Sequence, residues 1–177
     1  MPNTHHNTFQ TVIAVGSNLG DRAANVCQAI ELVQEKLGEV VKLSNFYQTE
    51  PVGGSADQVF LNGAILIKTA VSPENQMTLL LEIEKSLGRE RKIHWGNRTI
   101  DLDIVTIEHF VNNKHMPLSI NTEHLTCPHP RLADRDFVLV PTSEVLPEGI
   151  DPRSKKSFKE LSNSRNYSLN GKIIPLT

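Results

Sequence analysis

The chain has 177 residues, of which 38% are hydrophobic, with 10 Gly, 10 Pro and 2 Cys. This composition is typical of a globular domain and excludes the collagen-like, disordered and disulfide-rich classes. At this length about 70% of the surface of the unfolded chain can be buried, so the core needs no metal or disulfide. The formal net charge of -2 offers no general positive field to nucleic acid or to an acidic membrane.

The cysteine content and the terminal segments indicate a cytoplasmic protein with one domain. No apolar run approaches the length of about 20 residues that a membrane-spanning helix needs. The first residues carry no apolar signal region, and Cys27 and Cys127 are expected to be reduced thiols. We predict a disordered tail over residues 1–9, one domain over residues 10–165 and a C-terminal tail over residues 166–177. We expect a monomer with no nucleic-acid or membrane partner.

The first third of the chain predicts strands around one helix. A β-branched run at residues 11–15 predicts a strand, and the turn at residues 16–21 leads into apolar residues at helical spacing that stop at Gly38. Residues 40–49 and 60–69 predict two further strands, because both runs are rich in β-branched and aromatic side chains.

A second helix is predicted to begin at Pro73, after Ser72 as a capping hydroxyl, and to end at Gly88. Glu84 occupies the next position of its apolar stripe, so a carboxylate points toward the protein interior. Either Glu84 is a solvated acid at the edge of the stripe or it has a functional role, since charged side chains are seldom buried without a partner. The stripe consists of Met77, Leu80 and Leu81.

The second half of the chain adds a strand at residues 100–107 and a possible strand at residues 118–125. An apolar patch follows at residues 137–140, and one helical turn is expected around residues 158–161. The order β-α-β-β-α-β predicts an α+β fold with a ferredoxin-like core, in which helices cover a mainly antiparallel sheet.

Two carboxylates stand side by side on the strand at residues 100–107. Alternate side chains share a face of a strand, so Asp101 and Asp103 point one way while their apolar neighbours point into the core. Such a pair raises one pKa unless a cation or a proton relieves it, and Mg²⁺ binds carboxylates together with substrate phosphates. The pair therefore indicates a site for Mg²⁺ and phosphate, with an ordinary solvent-facing strand as the alternative.

A basic segment at residues 89–98 precedes these acids. Its guanidinium groups can bind phosphate oxygens and neutralise charge during phosphoryl transfer, whereas a solvated basic loop is the common alternative. The single tryptophan, Trp95, lies in this polar loop and is either a core anchor or a cover for a flat ligand. The fixed positive charges are Arg89, Arg91, Lys92 and Arg98.

An aromatic and amide pair on another strand predicts a site for a planar heterocycle. Phe60 and Asn62 share a face, so a ring for stacking lies beside an amide that both donates and accepts hydrogen bonds. Phe137 is a candidate for the opposing ring, although a phenylalanine is more often part of the core.

His124, Cys127 and His129 are all residue types that bind Zn²⁺, but a zinc site is disfavoured, because only three ligands are present at a spacing that fits no common zinc pattern. His129 is more plausible as a donor to phosphate. The glycine-rich phosphate-binding motifs of nucleotide-binding folds are absent, so arginine and metal must bind any phosphate.

Several segments together closely resemble the 6-hydroxymethyl-7,8-dihydropterin pyrophosphokinase family of folate biosynthesis. The most specific of them is W-G-x-R-T-I-D-L-D-I, which starts at Trp95. The resemblance implies transfer of pyrophosphate from ATP, a co-substrate, to the hydroxymethyl group of a reduced pterin, with release of AMP. The matching segments are residues 15–21, 49–53, 60–62, 88–91, 95–104, 128–131 and 135–137.

The resemblance also implies roles for individual residues. Asp101 and Asp103 would hold two Mg²⁺ ions, with Asp101 also near the pterin hydroxyl, and Glu84 would orient this array. The implied catalytic residues are Arg91, Arg98, Asp101 and Asp103. The implied ATP-binding residues are Arg89, Arg91, Arg98, Ile104, Thr126 and His129. The implied pterin-binding residues are Thr49, Pro51, Val52, Phe60, Asn62, Trp95, Asp101, Arg135 and Phe137.

Two other functions are compatible with parts of this pattern. A metal-dependent nucleotide hydrolase would use the same acids and arginines but would not need Phe60, Asn62 and Phe137 as a second ligand site. A ferredoxin-like module that binds nucleic acid would need no metal, and the aromatic content of 5% with a negative net charge disfavours it.

Overall fold

A computed structural model of the chain describes residues 8–52, 57–89, 96–111 and 114–164. Within these ranges no helix is both long and apolar enough to cross a membrane. A short 3₁₀ turn, Leu132–Asp134, precedes the third α-helix. The elements in chain order are β1 (Thr8–Ser17), α1 (Arg22–Lys36), β2 (Glu39–Leu43), β3 (Tyr47–Thr49), β4 (Phe60–Thr69), α2 (Pro73–Ser86), β5 (Asp101–Val111), β6 (Lys114–Pro117), β7 (Ile120–Asn121), β8 (Thr126–Cys127), α3 (Asp136–Val145) and α4 (Phe158–Ser164).

One antiparallel sheet with the strand order β2-β4-β1-β5-β6 forms the centre of the protein, and β3 pairs with β4 beside it. Helices α1 and α2 pack on one face of the sheet, and α3 packs on β4 and β1 together with α4. Alternating residues of β1 therefore enter two cores: Ile13 and Val15 pack with the α1 and α2 side, and Val12 packs with the α3 and α4 side. The short strands β7 and β8 pair with each other outside this sheet.

The predicted strands at 11–15, 60–69 and 100–107 and both predicted helices are confirmed, and β4 has the predicted bounds. The predicted strand at 40–49 is instead two strands. Ser44 interrupts it, because its hydroxyl accepts a hydrogen bond from Ala64 N at 2.8 Å.

Two further expectations need correction. The tail predicted through residue 9 is too long, since Thr8 and Phe9 lie in β1 and Phe9 is buried. The strand predicted at residues 118–125 is only the two-residue β7. The apolar patch at 137–140, for which no structure was predicted, lies in α3.

Along α2, Leu81 is exposed and Ile83 is buried in its place, whereas Ser72 is the N-cap residue but makes no side-chain capping bond. The cap that does form is on α1, where Asp21 accepts a hydrogen bond from Ala24 N at 3.0 Å.

Candidate active site

A row of three residues crosses the sheet at the C-terminal end of β1. Asn62 of β4 and Asp101 of β5 both pair with Gly16 of β1, so their side chains point to the same face. A Cβ atom on Gly16 would lie 2.6 Å from Asn62 Oδ1 and 3.8 Å from Asp101 Cβ. A side chain at Gly16 would therefore displace the Asn62 amide, and the glycine leaves an open surface between an amide and a carboxylate.

The next row on this face again places a carboxylate beside a small residue of β1. Asp103 pairs with Ala14, which also pairs with Ala64. The two carboxylates predicted to share a face thus do so, beside small residues of the central strand, on the face that carries α3 and α4.

Two guanidinium groups hold Asp101 in place. Arg89 Nη1 lies 2.6 Å from Asp101 Oδ1, and Arg98 Nη1 donates to Asp101 Oδ2 at 2.9 Å. Such charge-assisted bonds fix both oxygens of the carboxylate. The predicted association of the basic segment with the carboxylate pair is therefore present at its two described arginines.

Asp103 lies between opposing influences. Burial, together with the charges of Asp101 and Glu84, raises its pKa to about 7, although the charges of Arg89 and Arg98 act in the opposite direction. The two arginines thus compensate only part of the repulsion among the acids. The remaining repulsion is what a divalent cation on these oxygens would relieve.

Glu84 is 3% exposed, so its carboxylate points into the protein interior, as predicted. It accepts hydrogen bonds from Leu102 N at 2.8 Å and from Arg89 Nη1. Because α2 packs against β5, this acid joins the helix to the backbone between the two aspartates. Glu84 has partners, and it orients both Arg89 and the carboxylate strand.

Asn18 is a residue of this site that the sequence reasoning did not single out. It is 1% exposed; its Oδ1 accepts from Arg98 N at 2.7 Å, and its own N donates to Arg98 O at 3.2 Å. Its Nδ2 donates to Gln58 O at 3.1 Å and to Asn97 Oδ1 at 2.8 Å. The available signal was an amide in the turn directly after a buried strand, a position that favours bonding to backbone.

Arg98 is positioned between the carboxylates and an aromatic ring. Its guanidinium carbon lies 5.6 Å from the centroid of the Phe60 ring, within the range of a cation–π contact. Arg98 Nε is buried and has no hydrogen-bond partner among the residues described. A buried donor without a partner is unfavourable, so it favours an anionic ligand at this position.

The amide predicted to recognise a heterocycle is held by one bond. Asn62 Nδ2 donates to Thr49 Oγ1 at 2.7 Å, and Asn62 Oδ1 lies over Gly16. Phe60 is half-buried on the same face. Pro51 and Val52 follow β3, and Val52 is 64% exposed.

Arg135 and Phe137 lie at the N-terminal end of α3. Burial and the charge of Arg131 lower the pKa of Arg135, while Asp103 and Asp101 oppose that shift, which indicates that Arg135 faces the carboxylate pair. Its guanidinium carbon lies 5.6 Å from the centroid of the Phe137 ring. The rings of Phe60 and Phe137 therefore each lie within cation–π distance of an arginine.

His129 is a neutral donor beside this cluster. Its backbone N donates to Val105 O at 2.8 Å, and its Nδ1 accepts from Arg131 N at 3.1 Å. Burial, together with the charge of Arg135, lowers its pKa, so the ring is neutral at pH 7 and the accepting Nδ1 assigns its proton to Nε2. Thr126 is exposed, and its hydroxyl donates to Asn121 Oδ1 at 3.4 Å.

Three candidates are not brought into this cluster by the described residues. Ile104 is 3% exposed and packs in the core beneath α1 and α2, on the opposite face from the carboxylates, so its contact with adenine stays a prediction. Arg91 and Trp95 lie outside the described residues.

The zinc alternative finds no support in the structure. Burial raises the pKa of the Cys127 thiol to about 11, and His124 is exposed. In the described parts of the chain, no group of three or more His, Cys, Asp or Glu residues could hold a metal ion. The two aspartates would thus need ligands from substrate to complete a metal site.

Comparison with known proteins gives the same family as the motifs. Residues 12–147 match the model of the family described as 7,8-dihydro-6-hydroxymethylpterin-pyrophosphokinase. A 2-amino-4-hydroxy-6-hydroxymethyldihydropteridine pyrophosphokinase of Bacillus subtilis (strain 168) is 42% identical over 134 residues, which are 75% of each chain. The bifunctional protein FolKE of Lactococcus lactis subsp. lactis (strain IL1403) is 37% identical over 157 residues, 87% of this chain and 43% of that protein.

Solved structures agree at the level of the fold. The HPPK-DHPS of Plasmodium falciparum superposes with a TM-score of 0.65 at 15% identity, over 89% of this chain and 41% of that one. This chain thus spans less than half of its bifunctional relatives. On the family match and the shared sequence, the chain belongs to the 7,8-dihydro-6-hydroxymethylpterin-pyrophosphokinase family.

Proposed function

We infer that this chain transfers pyrophosphate from ATP to the hydroxymethyl group of 6-hydroxymethyl-7,8-dihydropterin and releases AMP, as a step of folate biosynthesis. The observation that carries this function is the row of Asn62, Gly16 and Asp101. The Asn62 amide can bind the edge of a heterocycle, and the Asp101 carboxylate can bind a metal. Gly16 lies between them and has no side chain. Both substrates then meet on one face of the sheet.

Asp101 and Asp103 fit Mg²⁺, because both offer hard oxygen ligands and because burial, together with the charge of Asp101, raises the pKa of Asp103. We assign two Mg²⁺ ions to this pair. Bound there, Mg²⁺ would polarise the phosphate oxygens and lower the pKa of the acceptor alcohol.

The arginines and His129 form the nucleotide side of the proposed site. Arg98 Nε, a buried donor without a described partner, and the neutral His129 Nε2 are available to phosphate oxygens. Arg89 is proposed to position Asp101 and not to bind phosphate, since it forms ion pairs with both Glu84 and Asp101. Arg91, Ile104 and Thr126 stay predicted contacts of the nucleotide.

The reaction then needs chiefly positioning and charge neutralisation. The alcohol oxygen of the pterin forms a bond to the β-phosphorus, and the bond from that phosphorus to the oxygen bridging to the α-phosphate breaks. AMP leaves with this bridging oxygen, and the proton of the alcohol is released. Fixed guanidinium groups stabilise the charge that builds up on the phosphate oxygens during transfer.

The pterin side is proposed to consist of a ring slot with a polar edge. Phe60 and Phe137 would stack on the two faces of the heterocycle. Asn62, held by Thr49, would form hydrogen bonds with the edge of the heterocycle. Arg135 would border the slot. Trp95, Pro51 and Val52 stay predicted contacts.

The test is to incubate the purified chain with ATP, Mg²⁺ and 6-hydroxymethyl-7,8-dihydropterin and to measure AMP and pterin together. We expect AMP to form in step with pterin consumption. AMP or ADP formed at the same rate without pterin would instead indicate a nucleotide hydrolase, and the absence of any product would contradict the proposal. The variant D103N, which keeps the size of the side chain, is the matched negative control.

We extend the proposal to fold class and setting. The order β2-β4-β1-β5, with α1 and α2 on one face, supports a ferredoxin-like core. The free cysteines Cys27 and Cys127 support a reducing, cytoplasmic compartment. We also propose a monomer, and size-exclusion chromatography with light scattering tests it.

A further inference from the structure

Glu144 joins the C-terminal end of α3 to the break between β2 and β3. One carboxylate oxygen, Oε1, accepts from the Tyr47 hydroxyl, and the other, Oε2, accepts from Asn45 N at 2.7 Å. Burial and the neighbouring Glu144 raise the pKa of Tyr47 to about 12, so the phenol remains a hydrogen-bond donor at physiological pH. We call this pair, Tyr47 and Glu144, the brace.

The strand end of the brace is next to the amide of the proposed pterin site. Tyr47 pairs with Asn62 across β3 and β4, and both side chains therefore point to the same face. Thr49, two residues further along β3, accepts the hydrogen bond from Asn62. A shift of β3 would move the partner that holds the Asn62 amide.

The helix end of the brace lies below the second aromatic candidate. Glu144 follows Phe137 by seven residues, which places it about two turns and about 10 Å along the same side of α3. Phe137 and Glu144 thus lie on one helix, with Arg135 as its N-cap residue.

Apolar packing alone leaves the position of α3 along the sheet underdetermined. Val138, Leu139 and Val145 pack α3 on the sheet, but such contacts are not directional. The two bonds accepted by Glu144 are directional and involve a charge, so they fix the helix both along and across β3.

We propose that Tyr47 and Glu144 are positioning residues that set the separation of the Phe137 ring from Phe60 and Asn62, and thereby the affinity for the reduced pterin. The proposal rests on the pyrophosphokinase function inferred above. Neither residue touches the reacting atoms; each acts through the position of α3 relative to β3 and β4.

The experiment compares the variants Y47F and E144Q with the parent chain in steady-state kinetics. We expect the KM for 6-hydroxymethyl-7,8-dihydropterin to rise about tenfold, the size expected for losing one hydrogen bond to a charged group. The kcat and the KM for ATP should stay within about twofold, because the carboxylates and arginines are held by other contacts. The rise in the double variant should be smaller than the two single rises combined, since both changes act on the contact between Tyr47 and Glu144.

Glu160 offers a matched control. Its carboxylate also accepts two hydrogen bonds, from Ser157 N and Ser157 Oγ, each at 2.8 Å, but on α4. E160Q makes the same chemical change as E144Q in the same layer of the fold. Its KM for the pterin should equal that of the parent.

The outcomes separate this proposal from the function on which it rests. A parent chain that forms no AMP from ATP and the pterin overturns both. If the parent is active, an unchanged KM for the pterin in both variants overturns the brace alone. Equal rises in both KM values together with a lower melting temperature also overturn it, because they indicate a general loss of structure. Should Y47F fold poorly, E144Q carries the same comparison.

Discussion

The two faces of β5 differ in every physical respect although they alternate along the same strand. Toward α1 and α2, Leu102 and Ile104 are closed off from solvent in an apolar core. Toward α3, Asp101 and Asp103 are partly exposed, and Asp101 forms ion pairs with Arg89 and Arg98. The apolar face explains why the strand lies where it does, and the charged face is explained only by what binds to it.

From the raised pKa of Asp103, we expect the charged face to lower the stability of the chain without metal. An acid whose pKa is higher in the folded than in the unfolded state binds more protons when folded, so stability falls as the pH rises. For Asp103 this loss begins above the ordinary value of 3.8 and is complete above about pH 7. The opposite face contributes stability at every pH, because burial of apolar surface does not involve a proton.

The largest effect should come from removing one carboxylate. D103N or D101N should lower kcat by about a hundredfold to a thousandfold, comparable to the loss of a group that stabilises transition-state charge. D103N should at the same time raise the melting temperature measured in EDTA at pH 8, because it removes the charge whose pKa is raised. Kinetics with ATP and the pterin, and thermal unfolding from pH 4 to pH 8, check both parts.

The difference in melting temperature between D103N and the parent should be near zero at pH 4 and grow up to about pH 7. A D103N variant with activity within a few-fold of the parent would contradict the metal assignment. A lower melting temperature at pH 8 would contradict the view that this face reduces stability.

The opposite result is expected on the other face of the same strand. Ile107 is fully buried beneath α1 and α2, and I107A should lower the free energy of unfolding by about 2–5 kcal/mol. Its kcat at a temperature where the variant is folded should stay within about twofold, because the carboxylates are on the other face. Urea unfolding measures the stability. Kinetics at about 15 °C, well below the melting temperatures of ordinary domains, which begin at about 45 °C, measure kcat on the folded variant. A kcat loss as large as that of D103N would show that the faces are not independent.

Most of the sheet and the carboxylate face were predictable from sequence, because both depend on alternation and local propensity. The period-2 pattern of β4 and β5 and the stop at Gly38 are local signals. The break at Ser44 was not predictable, since it depends on a bond to Ala64, twenty residues away. Such a contact exists only after the strands have paired.

The same distinction holds for the site. Glu84 was found because a charge interrupts an apolar stripe, but its partner Leu102 N is a backbone group that no motif reveals. Asn18 was missed because its partners, Gln58 and Arg98, come from two other loops. The residues of a site that bind ligand are visible in motifs, whereas the residues that hold them depend on tertiary structure.

Glu84 connects the two faces, so E84Q should have an intermediate effect. The amide keeps an oxygen for Leu102 N but loses the charge that holds Arg89. We expect kcat to fall about tenfold, since a charge-assisted bond is worth about 1.5–3 kcal/mol. Binding of an ATP analogue by calorimetry and single-turnover kinetics measure the affinity and the chemical step. An unchanged rate would indicate that Arg89 is held by Asp101 alone.

The pH dependence of Mg²⁺ binding gives a smaller and graded effect. Because the pKa of Asp103 is raised to about 7 in the chain without metal, Mg²⁺ must displace a proton below that pH. The affinity for Mg²⁺ in the presence of a non-hydrolysable ATP analogue should therefore fall by up to about tenfold per pH unit between pH 7 and pH 5. Calorimetry in two buffers of different ionisation enthalpy measures the released proton, and D103N should show no such release.

The smallest effect should come from the outer end of the Asn18 contacts. Asn97 Nδ2 donates to Asp57 Oδ1 at 2.6 Å on the surface, and Asn97 Oδ1 accepts from Asn18 Nδ2. N97A leaves Asn18 bonded to Gln58 O and to the backbone of Arg98, so kcat should fall by no more than about threefold, the equivalent of one exposed hydrogen bond. N18A removes the buried amide itself and leaves Arg98 N without its partner; its kcat should fall at least several times further than that of N97A. Because Arg98 bonds Asp101, equal effects of N97A and N18A would mean that the position of Arg98 is set from the surface and not from the buried end of β1.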